Sequence, residues 1–232
     1  MLRKFSNTRS VFFGRAGLIF FMAFLCSSYS GKQTVLIHSH NDYQKNIPFY
    51  RAYSQQVHTI EADIYAAPAS DGLLVAHDPH ELDSALSLDE MYLEPLIFLF
   101  GQNEGRPWRG SEQVLTLMID LKTPLHPTID RLIAKLKRHP EVFDPSVNPY
   151  AVRIVISGSR PDPEAFGEYP RFISFDGFID VDYTPQQLER VAFISEPFFR
   201  YSKWKGGADT LSAEDRQVIE LSLIHISEPT RH

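Results

Sequence analysis

Three short apolar runs in this chain each end in polar side chains spaced two apart, and this pattern constrains the fold more than any other feature. Residues Val35 to Tyr43 read Val-Leu-Ile-His-Ser-His-Asn-Asp-Tyr, with His38 and His40 at i, i+2. His58 to Ile64 carries Glu61 and Asp63 at the same spacing. Leu115 to Lys122 ends in Asp120 and Lys122. On extended backbone, residues two apart point to the same face. Three strands that each end in such a pair predict one site at one end of a sheet or barrel.

Further elements follow along the chain. Gln33 to His38 is the first expected strand, and Ile47 to Gln56 has near-helical spacing of its apolar residues. Thr59 to Tyr65 is the second strand. Asp71-Gly72 signals a turn before Leu73 to His77, so these two runs predict a hairpin or a strand return. Leu82 to Gly110 reads as irregular, with Ser87 capping a short helix through Tyr92. Val114 to Leu121 has the continuous apolar character of a strand buried on both faces. In Pro127 to His139, Ile129, Leu132, Ile133 and Leu136 fall at i, i+3, i+4 and i+7, which predicts a helix stopped by Pro140. Ala151 to Ile156, Arg171 to Phe175 and Val191 to Ser195 are further strands. Thr184-Pro185 and Ser212 to Asp215 open helices.

Strands alternating with helices indicate parallel βα units. The expected fold is α/β, a TIM-type (β/α)8 barrel that is incomplete here, with about six units. A closed barrel needs about 250 residues, and residues 31–220 fall short by about two units. The ends read differently from this body. Residues 1–30 hold Arg3, Lys4, Arg9 and Arg15 and no acids, then the apolar stretch Ala16 to Leu25, then small polar residues. This is the pattern of a signal peptide, cleaved before Gly31 or Lys32, and it predicts a secreted or periplasmic protein. A membrane anchor is the alternative, but the apolar stretch is short against the roughly 20 residues a span needs. Cys26, the only cysteine, follows the bulky Leu25, which disfavours a lipoprotein reading. Leu221 to Arg231 (Leu-Ser-Leu-Ile-His-Ile-Ser-Glu-Pro-Thr-Arg) resembles the in-frame translation of a sequencing adapter. Residues 221–232 are therefore expected to be an artefact, the native chain continuing after about Glu220.

Net charge is -6, and without the four N-terminal cations the body stands near -10. An acidic body disfavours a nucleic-acid partner. Glu61, Asp63 and Asp120 at matching strand ends would repel in one cavity. Lys122 could neutralise them as a salt bridge, or a hard cation could bind, with Mg²⁺ or Ca²⁺ suiting carboxylates better than Zn²⁺. His38, His40 and His77 are the candidate acid/base groups, since imidazole titrates near neutral pH. A lone histidine after a strand is usually structural, but several around an acidic triad point to chemistry. His80 reads as surface. Lys122 would supply a fixed positive charge to an anionic transition state.

The order His-x-His-Asn-Asp-Tyr, Glu-x-Asp, Leu-Leu-Val-Ala-His-Asp, Ile-Asp-Leu-Lys resembles the phospholipase C-like phosphodiesterase superfamily. The resemblance is to its glycerophosphodiester phosphodiesterase and phosphatidylinositol-specific phospholipase C group, in the branch that starts His-Ser-His-Asn-Asp-Tyr. It implies catalytic histidines at His38 and His77, metal ligands at Glu61, Asp63 and Asp120, and a catalytic lysine at Lys122. Lys122 and Asn41 are the implied substrate contacts. Ser157-Gly158 and Asp176-Gly177 are similar to family strand-end positions. The family often has His-Arg-Gly where this chain has His38-Ser39-His40, so an arginine that would grip phosphate is missing, and His40 competes with His38 as the base.

The implied reaction is metal-dependent hydrolysis of a phospholipid-derived or glycerophosphodiester-like substrate by way of a cyclic phosphate. A lipid head group and peripheral membrane contact are expected, and no protein partner is implied. An amidohydrolase-type metal hydrolase is one alternative, entered by its His-x-His, but residues 140–223 hold no histidine for its middle strands. A non-catalytic secreted binding protein is the other.

Overall fold

The computed structural model describes residues 36–195, 200, 202–204 and 210–218. The expected signal segment, the start of the first expected strand and the suspect tail lie outside the described residues.

Six strands form one parallel sheet: β1 (His38–Ser39), β2 (Thr59–Ala66), β4 (Thr116–Leu121), β5 (Arg153–Gly158), β6 (Ile173–Gly177) and β7 (Val191–Ile194). They lie side by side in chain order. β3 (Leu73–Val75) returns antiparallel on β2, with Ile64 opposite Val75, so the turn at Asp71-Gly72 makes the expected hairpin. Sequential parallel neighbours are the order of a barrel wound one way. The described residues form a curled, open part of such a sheet with β1 and β7 at its edges.

The alternation along each strand sorts the two faces. Ile60, Ala62 and Ile64 of β2, Leu117, Ile119 and Leu121 of β4, and Ile154 and Ile156 of β5 enter the apolar core. Glu61, Asp63, Met118, Asp120, Val155 and Ser157 are the intervening residues, so the polar groups share the other face. The polar face is also withdrawn from solvent: Asp63 is fully buried, and Glu61 and Ser157 nearly so.

Helices cover the apolar face. α1 (Tyr50–Ser54) buries Ala52 and Tyr53. α3 (Leu125–Leu136) begins with an extended His126, so its regular part starts at Pro127 as expected, and it buries Ile129, Leu132 and Leu136. Pro140 ends no long helix here. It opens α4 (Pro140–Phe143), because proline suits a first helical turn. α5 (Pro185–Leu188) carries the expected Thr184 cap, with Thr184 and Gln187 bonded reciprocally. Ser212 caps residues 213–218 through its side chain to Asp215 N.

The expectation of an irregular Leu82 to Gly110 is corrected. A π-type turn (Asp89–Leu93) runs into α2 (Glu94–Gln102). Ser87 is the cap, as its spacing suggests: its Oγ accepts from Glu90 N at 3.2 Å, and Glu90 Oε2 accepts from Ser87 N at 3.0 Å. Tyr92, Leu93, Leu96 and Phe100 are all buried, which is helical spacing hidden within a continuous apolar stretch. Among the described residues no helix is long and apolar enough to cross a membrane.

Candidate active site

β2 and β4 bring the acids together. Asp63 stands directly opposite Asp120 in the parallel register, and Asp120 opposite Ser157 of β5. One carboxylate oxygen each from Glu61, Asp63 and Asp120 lie within 4.8 Å of one another. Lys122 Nζ bridges two of them, 3.0 Å from Asp63 Oδ2 and 3.1 Å from Asp120 Oδ2. Burial pushes the Lys122 ammonium down, but these carboxylates outweigh it and hold the lysine charged. Burial pushes the Asp120 carboxyl up, against Lys122, with Asp63 and Glu61 adding to the rise.

The salt-bridge reading accounts for only part of this geometry. Lys122 takes one oxygen of each aspartate, and the other oxygens, Asp63 Oδ1 and Asp120 Oδ1, are buried with no hydrogen-bond partner. An unsatisfied buried acceptor costs on the order of 1–3 kcal/mol, more when charged. Three hard, acceptor-only groups at this spacing fit a divalent cation of the Mg²⁺ or Ca²⁺ type.

The histidines approach from the other side. β1 pairs in parallel with β2, His38 against Thr59 and Ser39 against Ile60. His38 Nε2 lies 2.7 Å from Glu61 Oε2, while His40 Nε2 lies 4.0 Å from the same oxygen. Both therefore face one side, as the i, i+2 spacing predicts, and His40 is the more exposed of the two, 72% against 39%. Burial pushes the Glu61 carboxyl up, but the His38 hydrogen bond, with His40 and Lys122 nearby, brings it below its ordinary value. His77 follows β3, and its Nδ1 lies 3.4 Å from Asp63 Oδ2. Its backbone is fixed at both ends: His77 N donates to Glu81 Oε2 at 2.8 Å, and Tyr65 Oη donates to His77 O at 2.9 Å. His80 is exposed on the following turn.

Asn41 holds a left-handed conformation (φ 45°) that turns the chain out of β1, a position asparagine tolerates better than most residues. Its side chain hydrogen-bonds none of the other site residues. Asp176 lies on β6, where its Oδ1 accepts from Ser195 N at 2.7 Å.

Three neighbours lie in motifs quoted from the sequence but have no role assigned there. Tyr43 Oη lies 2.8 Å from Asp63 Oδ2 and 3.0 Å from His77 Nδ1. Gly158 sits against Asp120, where a Cβ would meet Asp120 Oδ1 at 2.0 Å. Asp42 is buried beneath the histidine segment and accepts from Ser39 Oγ at 2.7 Å, Phe49 N at 2.5 Å and Tyr92 Oη at 3.1 Å. Asp42 and Tyr43 belong to the His-Ser-His-Asn-Asp-Tyr segment and Gly158 to the Ser157-Gly158 pair, but neither motif states these contacts. Asp42→Ala orphans donors in the core, so it is expected to destabilise the protein by about 3 kcal/mol or more. Denaturant unfolding checks this, and a loss under about 1 kcal/mol would contradict the anchoring role.

Comparison with known proteins agrees with this region. A family profile described as an AIM6-like phosphodiesterase domain matches residues 29–143. Among curated relatives, the altered inheritance of mitochondria protein 6 of Eremothecium gossypii is 32% identical over 97 residues, 38% of this chain and 25% of that protein. The Kluyveromyces lactis protein of the same name is 34% identical over 70 residues, 30% of this chain and 17% of that protein. A homolog of that protein from Arthroderma benhamiae is 33% identical over 104 residues, 37% of this chain and 32% of that protein. The matches thus span between 17% and 32% of the relatives' length. No solved structure matches the chain significantly. Over the stretch that carries the histidines, the acids and Lys122, the chain is similar to a phosphodiesterase-like family.

Proposed function

We propose that this chain carries the active site of a divalent-metal-dependent phosphodiesterase of the phospholipase C-like type, built on a TIM-type barrel. The substrate is a phospholipid-derived or glycerophosphodiester-like diester. The observation that carries this reading is the pair of buried, partnerless oxygens on Asp63 and Asp120, set beside Lys122 and flanked by His38 and His77. Glu61, Asp63 and Asp120 would hold the cation, which supplies charge stabilisation to the phosphorane-like transition state.

The chain's own groups do the rest. His38 takes the proton from a substrate hydroxyl next to the phosphodiester. That oxygen forms a bond to phosphorus as the bond to the leaving alcohol breaks, and His77 gives the leaving oxygen its proton. The product is a cyclic phosphate and a free alcohol. Lys122 neutralises the charge that develops on the phosphoryl oxygens. His38, engaged with Glu61 at 2.7 Å, suits the base role better than the more exposed His40.

The test is an assay against glycerophosphodiesters and phospholipid head-group diesters, followed by ³¹P NMR. Turnover with a cyclic phosphate product is expected, lost on chelation and restored by Mg²⁺ or Ca²⁺. Turnover indifferent to chelator, or none with any diester, would overturn the reading.

A further inference from the structure

Tyr43 touches both Asp63 and His77, and the chemistry of the three groups dictates where the hydrogens lie. Asp63 as a carboxylate only accepts, so at 2.8 Å the phenol O–H donates to Asp63 Oδ2. A phenol has one hydrogen. Its oxygen can therefore meet His77 Nδ1, at 3.0 Å, only as an acceptor. The second neighbour of Nδ1, Asp63 Oδ2 at 3.4 Å, is also an acceptor. Both groups facing Nδ1 demand that it carry a hydrogen.

We propose that Tyr43 is a positioning residue that holds the His77 ring with its hydrogen on Nδ1 and turns Nε2 toward the reacting groups. The catalytic meaning of this rests on the phosphodiesterase reading; the hydrogen placement does not. The His77 backbone is already pinned through Glu81 and Tyr65, so ring rotation is the freedom left to control. Tyr43 is suited to that task. It sits on the short turn Asp42–Gln44 that the left-handed Asn41 begins, and it packs against the apolar core. Burial, followed by the Asp63 contact, pushes its phenol far above the ordinary value, so it remains a donor. In the reaction the proton leaves from Nε2 to the departing oxygen, and the Nδ1 hydrogen stays on His77, donated to Tyr43 Oη.

The experiment is ¹⁵N NMR of histidine-labelled protein, with the His77 signal assigned by its loss in His77→Asn. The neutral His77 ring is expected as the Nδ1–H form in the native protein. In Tyr43→Phe, which keeps the ring and its packing, the two neutral forms are expected to mix. There kcat is expected to fall about 10- to 100-fold, the usual effect of removing such an outer partner, with KM within about twofold. An Nε2–H ring in the native protein overturns the proposal. So does a Tyr43→Phe variant with native kcat and an unchanged ring. A chain that cleaves no diester yet shows the Nδ1–H form, lost in Tyr43→Phe, keeps the positioning role and removes only the activity reading.

Discussion

Replacing Asp63 with Asn is expected to abolish both turnover and metal binding while the fold survives. Asp63 is the group that Tyr43, His77 and Lys122 all meet. Its Oδ2 accepts from Tyr43 and lies 3.0 Å from Lys122 Nζ, and its Oδ1 is buried and unpartnered. An amide has the same shape but cannot serve both sides. With its NH₂ toward Oδ2 it sets donor against donor at Lys122 and Tyr43. With its NH₂ toward Oδ1 it sets a donor where the cation would lie. Either way one of three ligand charges is gone. Charge stabilisation by the cation is worth several kcal/mol, so kcat/KM is expected to drop about a thousandfold or more. Calorimetric titration with Mg²⁺ or Ca²⁺ should show affinity lost in the same variant. His77→Ala is the companion measurement: turnover lost and cation affinity kept. If both variants turn over within tenfold of the native protein, the site assignment fails.

Gly158→Ala is expected to damage the site from the neighbouring strand. Gly158 ends β5 at φ +68°, in the left-handed region that costs other residues roughly 1–2 kcal/mol. Its added Cβ would stand 2.0 Å from Asp120 Oδ1, 2.6 Å from Leu121 O and 2.9 Å from Leu121 N. Two of those atoms belong to the backbone of β4 and cannot swing aside. The methyl group must displace the strand and the Asp120 carboxylate with it, an overpacking cost of about 1–3 kcal/mol more. The expected result is a lower unfolding midpoint together with weakened cation binding. Native affinity at native stability would show that the close approach is not needed.

The sequence made the acids of this site readable because strand alternation is local. Glu61 and Asp63 had to share a face, and the apolar run before Asp120 could only be an interior strand. Register then placed Asp63 beside Asp120, something no spacing states. The motifs that hold Tyr43, Asp42 and Gly158 were readable, but their contacts were not, for a related reason. Each acts through a partner 20 or more residues distant: Tyr43 through Asp63, Asp42 through Tyr92, Gly158 through Asp120. The helix from Asp89 to Gln102 was hidden differently. Apolar residues on its exposed side, such as the 65% exposed Phe98, blurred the periodicity that Leu96 and Phe100 obey. The shortness of β1 was also hidden, since an apolar run says nothing about how many residues find a partner.

That shortness divides the site mechanically. The acids stand on β2 and β4, each hydrogen-bonded to strands on both flanks. His38 stands on two paired residues at an edge of the described sheet, and His77 two residues beyond a three-residue strand paired to β2. Local opening is least costly where few backbone bonds must break. The His38 arm can therefore loosen while the carboxylate floor stays closed, whereas the His77 backbone is held by Glu81 and Tyr65. In amide hydrogen exchange, Ile60 to Ile64 and Leu117 to Leu121 should be among the last to exchange, and His38 to Asn41 among the first. A substrate would meet a rigid charged base flanked by one arm, that of His38, which opens at lower cost than the floor.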